Sequence, residues 1–180
     1  FMRHGYLVHT VSLYDELIHV PLIISLPGVI PPLEVAAPVH HIDLLPTILD
    51  LLGEKDLVQL LDGVSLQPCL YEHKECLAQR DLFAEVDYNR KLKKRAIISG
   101  GYKLIRNVPK NRFWLFDLNS DPEEQRRLEA NESRVFAKLS AKLKAWEEIV
   151  DAAATNRSRP GEKVEIDPAQ LEQLKSLGYM

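Results

Sequence analysis

Ala96-Ile97-Ile98-Ser99-Gly100-Gly101-Tyr102-Lys103-Leu104-Ile105-Arg106 reads as a β-hairpin. Two apolar, β-branched runs fold back on each other across a Gly-Gly pair, which supplies the positive φ angles of a tight turn. Working outward, Asp81–Val86 is a strand before the hairpin and Phe113–Leu118 a strand after it, closed by Ser120-Asp121-Pro122. The centre of the chain is therefore a small antiparallel sheet. Beyond it, Asn131 or Ser133 caps a long helix with Val135, Leu139, Leu143, Trp146 and Ile149 or Val150 along one face. Thr155–Gly161 is a polar linker, and Asp167-Pro168-Ala169-Gln170 opens a last helix carrying Leu171, Leu174 and Leu177, stopped by Gly178.

Upstream the pattern differs. Leu13–Ile18 is a helical turn leading into Val20-Pro21-Leu22-Ile23-Ile24, an apolar run that reads as a buried strand, with Pro21 near its start. Pro27–Pro38 holds four of the eleven prolines and reads as a loop. Val39-His40-His41-Ile42 reads as a strand end, and Asp43 as the N-cap of a helix. Pro46 falls in that helix's first turn, Leu45, Ile48, Leu49 and Leu52 recur at helical spacing, and Gly53 ends it.

The chain has 180 residues, 46% hydrophobic and 27% charged, which is globular rather than disordered. Its longest apolar run, Val20–Leu26, is far short of the roughly 20 residues a membrane span needs. The net charge of −3 argues against a dedicated nucleic-acid binder. The two cysteines, Cys69 and Cys76, cannot make a disulfide framework and leave the compartment open. Phe1-Met2-Arg3-His4 has neither the basic nor the apolar region of a signal peptide and does not open on an initiator Met, so the chain is expected to begin inside a longer protein.

Charge and histidine are unevenly spread. Residues 1–60 hold five of the six histidines, whereas residues 87–112 carry nine Lys or Arg against one Asp. The histidines lack the His-x-x-x-His spacing of a helical zinc site, and adjacent His40 and His41 on a strand would point to opposite faces. His19 and one of His40 and His41 are read as packed, hydrogen-bonded residues. Cys76 precedes Arg80 by four residues but lacks the glycine-rich anion-binding loop of a thiolate nucleophile. The basic stretch reads as a solvated hairpin edge, with attraction of an anionic substrate as the alternative. Trp114 and Trp146 read as core anchors. No complete catalytic set emerges from composition and spacing.

The order of motifs carries more. His4-Gly5-Tyr6-Leu7-Val8-His9, Leu13-Tyr14-Asp15-Glu16-Leu17-Ile18-His19-Val20-Pro21-Leu22-Ile23-Ile24 and Pro27-Gly28 resemble the second half of a sulfatase of the alkaline phosphatase superfamily. The similarity continues through Val39-His40-His41-Ile42-Asp43-Leu44-Leu45-Pro46-Thr47-Ile48-Leu49-Asp50-Leu51-Leu52-Gly53, Gly101-Tyr102-Lys103-Leu104-Ile105, Leu115-Phe116-Asp117-Leu118 and Asp121-Pro122-Glu123-Glu124, ending at Leu174–Tyr179. What the resemblance implies is an α/β fold: the C-terminal portion of an alkaline-phosphatase-like core plus a small antiparallel sheet packed by a long C-terminal helix. It implies core for residues 1–75, the small subdomain with its helix for 76–154, and linker and last helix for 155–180.

Such enzymes hydrolyse sulfate esters with a formylglycine made from a Cys/Ser-x-Pro-x-Arg motif. They hold calcium, or another divalent cation, on Asp-rich motifs; neither motif is in this chain. The resemblance therefore implies a C-terminal piece, inactive by itself, whose partner is the N-terminal catalytic part and whose substrate is a sulfate ester. The family's sulfate-contacting His or Lys matches His9, flanked here by Val8 and Thr10; His4 is a substrate-binding position at the rim. The alternatives are a phosphodiesterase or phosphonate hydrolase of the same superfamily, or a non-catalytic module binding a partner or anionic glycan through residues 87–112. Cutting a parallel core leaves apolar faces uncovered, so self-association of the isolated chain is expected.

Overall fold

A computed structural model describes residues 12–71, 80–88, 92–129 and 133–157, together with 172, 175 and 176. Two compact units are present, Phe1–Ala145 and Trp146–Met180. The contacts described below lie within the first.

Among the described residues, β1 (Leu82–Tyr88), β2 (Leu92–Ser99), β3 (Tyr102–Asn107) and β4 (Arg112–Asp117) form an antiparallel sheet in chain order. Ser99 pairs with Tyr102, so Gly100 and Gly101 alone make the β2–β3 turn, at φ 58° and 80°. Gly101 is favoured by its backbone conformation, and its neighbour Asn119 would have to swing aside for any side chain here. Besides its left-handed φ, a Cβ there would lie 2.2 Å from Asn119 Nδ2. The expected hairpin and its flanking strands are all present.

Alternation along the strands gives the sheet two apolar faces. On one, Ala96, Ile105 and Phe116 form a buried cluster with Leu13 and Tyr14, which come from 80 or more residues upstream. On the other, Ile97, Leu104 and Leu115 are buried. There the Phe113 ring meets Phe136 of helix α5 (Arg134–Arg157) edge-on at 5.4 Å; among the described residues four shorter helices, numbered in chain order, precede it. Ser133 starts α5 as expected, its Oγ accepting from Phe136 N at 3.0 Å. Leu139 and Leu143 are buried, and Lys142 Nζ donates to Asp81 at 2.8 Å. Full burial of each such apolar side chain stabilises the fold by about 1.5–3 kcal/mol.

Upstream, α1 (Asp15–Ile18), a 3-10 turn (His41–Asp43), α2 (Leu44–Leu51), α3 (Lys55–Val58) and α4 (Gln67–Tyr71) are joined by irregular segments. Gly53 ends α2 at φ 85°, and Pro46 sits in its first turn, both as expected. Cys69 is buried and disulfide-bonded; the chain's other cysteine, Cys76, lies outside the described residues. Among the described residues no helix is long and apolar enough to cross a membrane.

Three expectations need correction. Residues 20–24 are not a strand: they join no ladder of the described sheet, and Ile23 is 88% exposed. A strand exists only with a neighbour to bond, and Pro21 removes one donor besides. Val39–Ile42 is not a strand end either. The Asp43 carboxylate accepts from His40 N while the His40 ring accepts from Ile42 N, and this reciprocal capping bends the chain into the 3-10 turn. Finally, α5 runs to Arg157, so the first residues of the expected linker are helical. The expected last helix, from Asp167, lies largely outside the described residues.

Candidate functional site

His9 and His4 lie outside the described residues. Residues 12–14 are firmly anchored. Ser12, Leu13 and Tyr14 are buried, and the Tyr14 ring packs edge-on against Phe116 at 5.9 Å.

The anchor is completed by a buried charge cluster. Lys103, on β3, has 0% of its side chain exposed; its Nζ donates to Asp15 Oδ1 at 2.6 Å and lies 2.8 Å from Glu124 Oε1. Glu124 Oε2 in turn accepts from Asp15 N at 2.6 Å. Glu124 itself stands at φ 55°, a left-handed conformation disfavoured for a residue with a Cβ. Burial pushes the Glu124 carboxyl above the usual range, and the opposing pull of Lys103 and the Asp15 amide does not cancel it. Three segments are thereby tied together: α1, the middle of the sheet and the turn after β4.

A second hub surrounds Asp43, whose side chain is 0% exposed. One carboxylate oxygen accepts from Arg80 Nη1 at 2.6 Å and from His40 N at 2.8 Å; the other accepts from Val64 N at 3.0 Å. Thr47 extends the hub, donating from Oγ1 to Asp43 O at 2.5 Å and accepting from Leu66 N at 2.9 Å. Gly63 is obligatory here, since a Cβ would lie 2.0 Å from Ile42 O. Desolvation raises the Asp43 pKa, but Arg80 and the two backbone amides outweigh it and hold the carboxyl below its usual value. The hub joins the α2 region to Arg80, just before β1.

A pH dependence follows. A depressed carboxylate contributes stability that is present above its unfolded pKa and is lost as pH falls through the lower folded value. Asp43→Asn should therefore cost about 1.5–3 kcal/mol at neutral pH. That deficit should shrink below pH 3.8 as the native carboxyl protonates. Urea unfolding of both proteins across pH 3–7 checks it; a deficit constant with pH would contradict it.

The histidine reading holds for one residue and fails for another. His40 is half-buried, with Nδ1 accepting from Ile42 N at 3.3 Å and Nε2 2.5 Å from Phe83 O. Through these two contacts the ring links the α2 region to β1. His19 is exposed, 3.8 Å from Asp15. The basic stretch is not simply a solvated edge: Lys94, Arg95 and Lys103 are buried. Arg95 pairs with Glu85 on the neighbouring strand, and Lys93 lies 3.5 Å from the same carboxylate. Sequence distance hid the strongest of these contacts, because Lys103 and Asp15 are 88 residues apart.

The described residues do not fit a metal ion. No group of three or more His, Cys, Asp or Glu side chains among them could hold one. The buried carboxylates of Asp43 and Glu124 and the half-buried one of Asp15 are committed to Arg80 and Lys103.

Residues 3–149 match the family described as N-sulphoglucosamine sulphohydrolase, C-terminal. Arylsulfatase K from Bos taurus is 30% identical over 155 residues, which cover 76% of this chain and 27% of the bovine protein. The chain thus spans about a quarter of that relative's length. Among solved structures, a provisionally assigned sulfatase from Bacteroides thetaiotaomicron VPI-5482 is 27% identical with a TM-score of 0.46, over 71% of this chain and 27% of its own. A 2-O GAG sulfatase, BT1596, gives 27% identity and a TM-score of 0.45 over the same shares.

Proposed function

Because the chain belongs to the N-sulphoglucosamine sulphohydrolase C-terminal family, we propose that it is the C-terminal part of a sulfate-ester hydrolase. The nucleophile and the calcium or other divalent ion are supplied by the N-terminal part of the same protein. The family match over residues 3–149 carries this reading. His9 meets the sulfate group, its imidazole offsetting negative charge on sulfate and leaving oxygen, and His4 lines the rim. The Tyr14, Lys103 and Glu124 anchor holds the segment behind His9 in place.

An exposed apolar surface supports the existence of the missing part. Val20, Leu22 and Ile23 are exposed, and so are Leu45, Ile48 and Leu52 of the α2 region, Leu52 at 70%. A helix normally turns its apolar stripe toward a core. Here α2 buries Pro46 and Thr47 and turns the stripe outward, as expected of a face that the catalytic part covers.

The test compares the complete protein with the isolated 180-residue chain. The complete protein should hydrolyse an aryl sulfate; the isolated chain should not, and should self-associate. An isolated chain that is a monodisperse monomer with chelator-insensitive turnover would overturn the reading. A complete protein that cleaves aryl phosphate diesters and leaves aryl sulfates intact would replace it with the phosphodiesterase alternative.

A further inference from the structure

We propose that Cys69 and Cys76 form a disulfide bond, made as the protein folds in an oxidising compartment, that staples the stretch from α4 to Arg80 onto the Asp43 hub. Cys69 is disulfide-bonded. The chain holds just one other cysteine, Cys76, which lies outside the described residues and is the partner this chain can offer.

What the bond does follows from its neighbours on either side. Leu66 N donates to Thr47 Oγ1 at 2.9 Å, and Arg80 Nη1 donates to the buried Asp43 carboxylate at 2.6 Å. The two ends of a 14-residue stretch are thereby brought to one short segment, Asp43 to Thr47. Cys69 follows Leu66 by three residues and Cys76 precedes Arg80 by four. A bond between the cysteines bypasses the six residues that separate them, so a far shorter covalent path joins the two contacts. Closing that loop beforehand removes much of the chain entropy that opposes bringing Arg80 to Asp43. Arg80 is the cation beside a carboxylate with 0% exposure, so the staple secures the hub's counter-charge.

The place of Cys69 sets the chemistry. Its N–H donates to Leu66 O at 2.8 Å at the start of α4, and the residue is 3% exposed. Thiol–disulfide exchange needs a thiolate to reach a sulfur, and burial shields this one once α4 has packed. The bond is therefore structural and forms during folding. Each thiol gives up its proton, the two sulfurs join, and two electrons pass to the disulfide of an oxidoreductase, which becomes a dithiol. Such partners work in the secretory lumen and the bacterial periplasm, whereas the cytosol keeps thiols reduced. Folding of this chain accordingly belongs outside the cytosol.

The experiment uses the complete protein, produced with and without an export signal and quenched at lysis with N-ethylmaleimide. Trypsin cuts after Lys74, between the two cysteines, so the disulfide registers in the mass spectrum as residues 56–74 joined to residues 75–80. Exported protein should give that joined pair, which separates on reduction. Cytosolic protein should give the two peptides apart, each carrying maleimide. Cys69→Ala/Cys76→Ala should melt about 2–5 °C below the exported wild type, the loss expected when a stabilising disulfide is removed from a long chain. The peptide holding Val64 and Leu66, whose amides donate to Asp43 and Thr47, should exchange deuterium faster in that variant. Maleimide on both cysteines of the exported protein, or a link from either to a different cysteine, would overturn the pairing. A joined pair in the cytosolic protein would overturn the compartment. Unchanged melting and exchange in the double variant would overturn the staple. None of these readouts uses activity, so failure of the proposed function would leave them unaffected.

Discussion

Replacing His9 by alanine in the complete protein is expected to lower the chemical step by about 10²–10⁴-fold without changing the melting temperature. That is the range for losing a positioned acid or charge-stabilising group. The protonated imidazole is favoured by a nearby sulfate and opposed by a nearby metal ion, so the role is predicted and a pKa is not. His19→Ala is the control. Its ring is exposed, 3.8 Å from Asp15, and its removal should alter neither turnover nor stability. Single-turnover rates and thermal melts of the two variants side by side decide the matter. Near-normal turnover in His9→Ala at unchanged stability would leave this chain as scaffold throughout.

Lys103→Met should be the most damaging structural substitution, costing about 3–5 kcal/mol. That is the usual loss when one partner of a buried ion pair is removed and the other is left uncompensated. Methionine fills similar space, so the penalty comes from charge: Glu124, 1% exposed, and Asp15 would face each other unpaired. The Glu124 pKa is already raised by burial, and without Lys103 it would rise further. A carboxyl with a raised folded pKa leaves stability intact below its unfolded value of about 4.5 and diminishes it as pH rises through the folded one. The Lys103→Met deficit should therefore be greatest near neutrality and smallest in acid. Adding Glu124→Gln should restore part of it, since an amide needs no counter-charge. Urea unfolding of the single and double variants at two pH values tests both statements. A pH-independent loss with no recovery in the double variant would mean that shape, not charge, makes Lys103 necessary.

The same residue shows where reading a sequence stops. Lys103 reads as one of nine basic side chains in residues 87–112, on a strand whose partners its turn already identifies. Nothing within several residues indicates that it is buried, because its counter-charges come from Asp15 and Glu124 on other elements. Asp43 is similar. Its place at a helix start was legible, whereas Arg80, Val64 and the obligatory Gly63 reach it only through the folded chain. The candidate residues His9 and His4 came from the resemblance of ordered motifs, not from spacing or charge.

By itself the sequence determined the elements whose causes are local. The Gly100-Gly101 turn sets the hairpin, apolar strands on either side extend it to four, an Asn131 or Ser133 cap opens α5 and Gly53 stops α2. Each depends on backbone preferences or periodicity within a few residues. The tertiary structure alone decided which charges are buried and which apolar faces are not. The apolar run 20–24 shows the difference: hydrophobicity marks it for burial, yet becoming a strand requires a neighbouring strand to bond. A turn carries its cause in its own residues, whereas a ladder or a buried ion pair is a relation between distant segments, decided only when the chain brings them together.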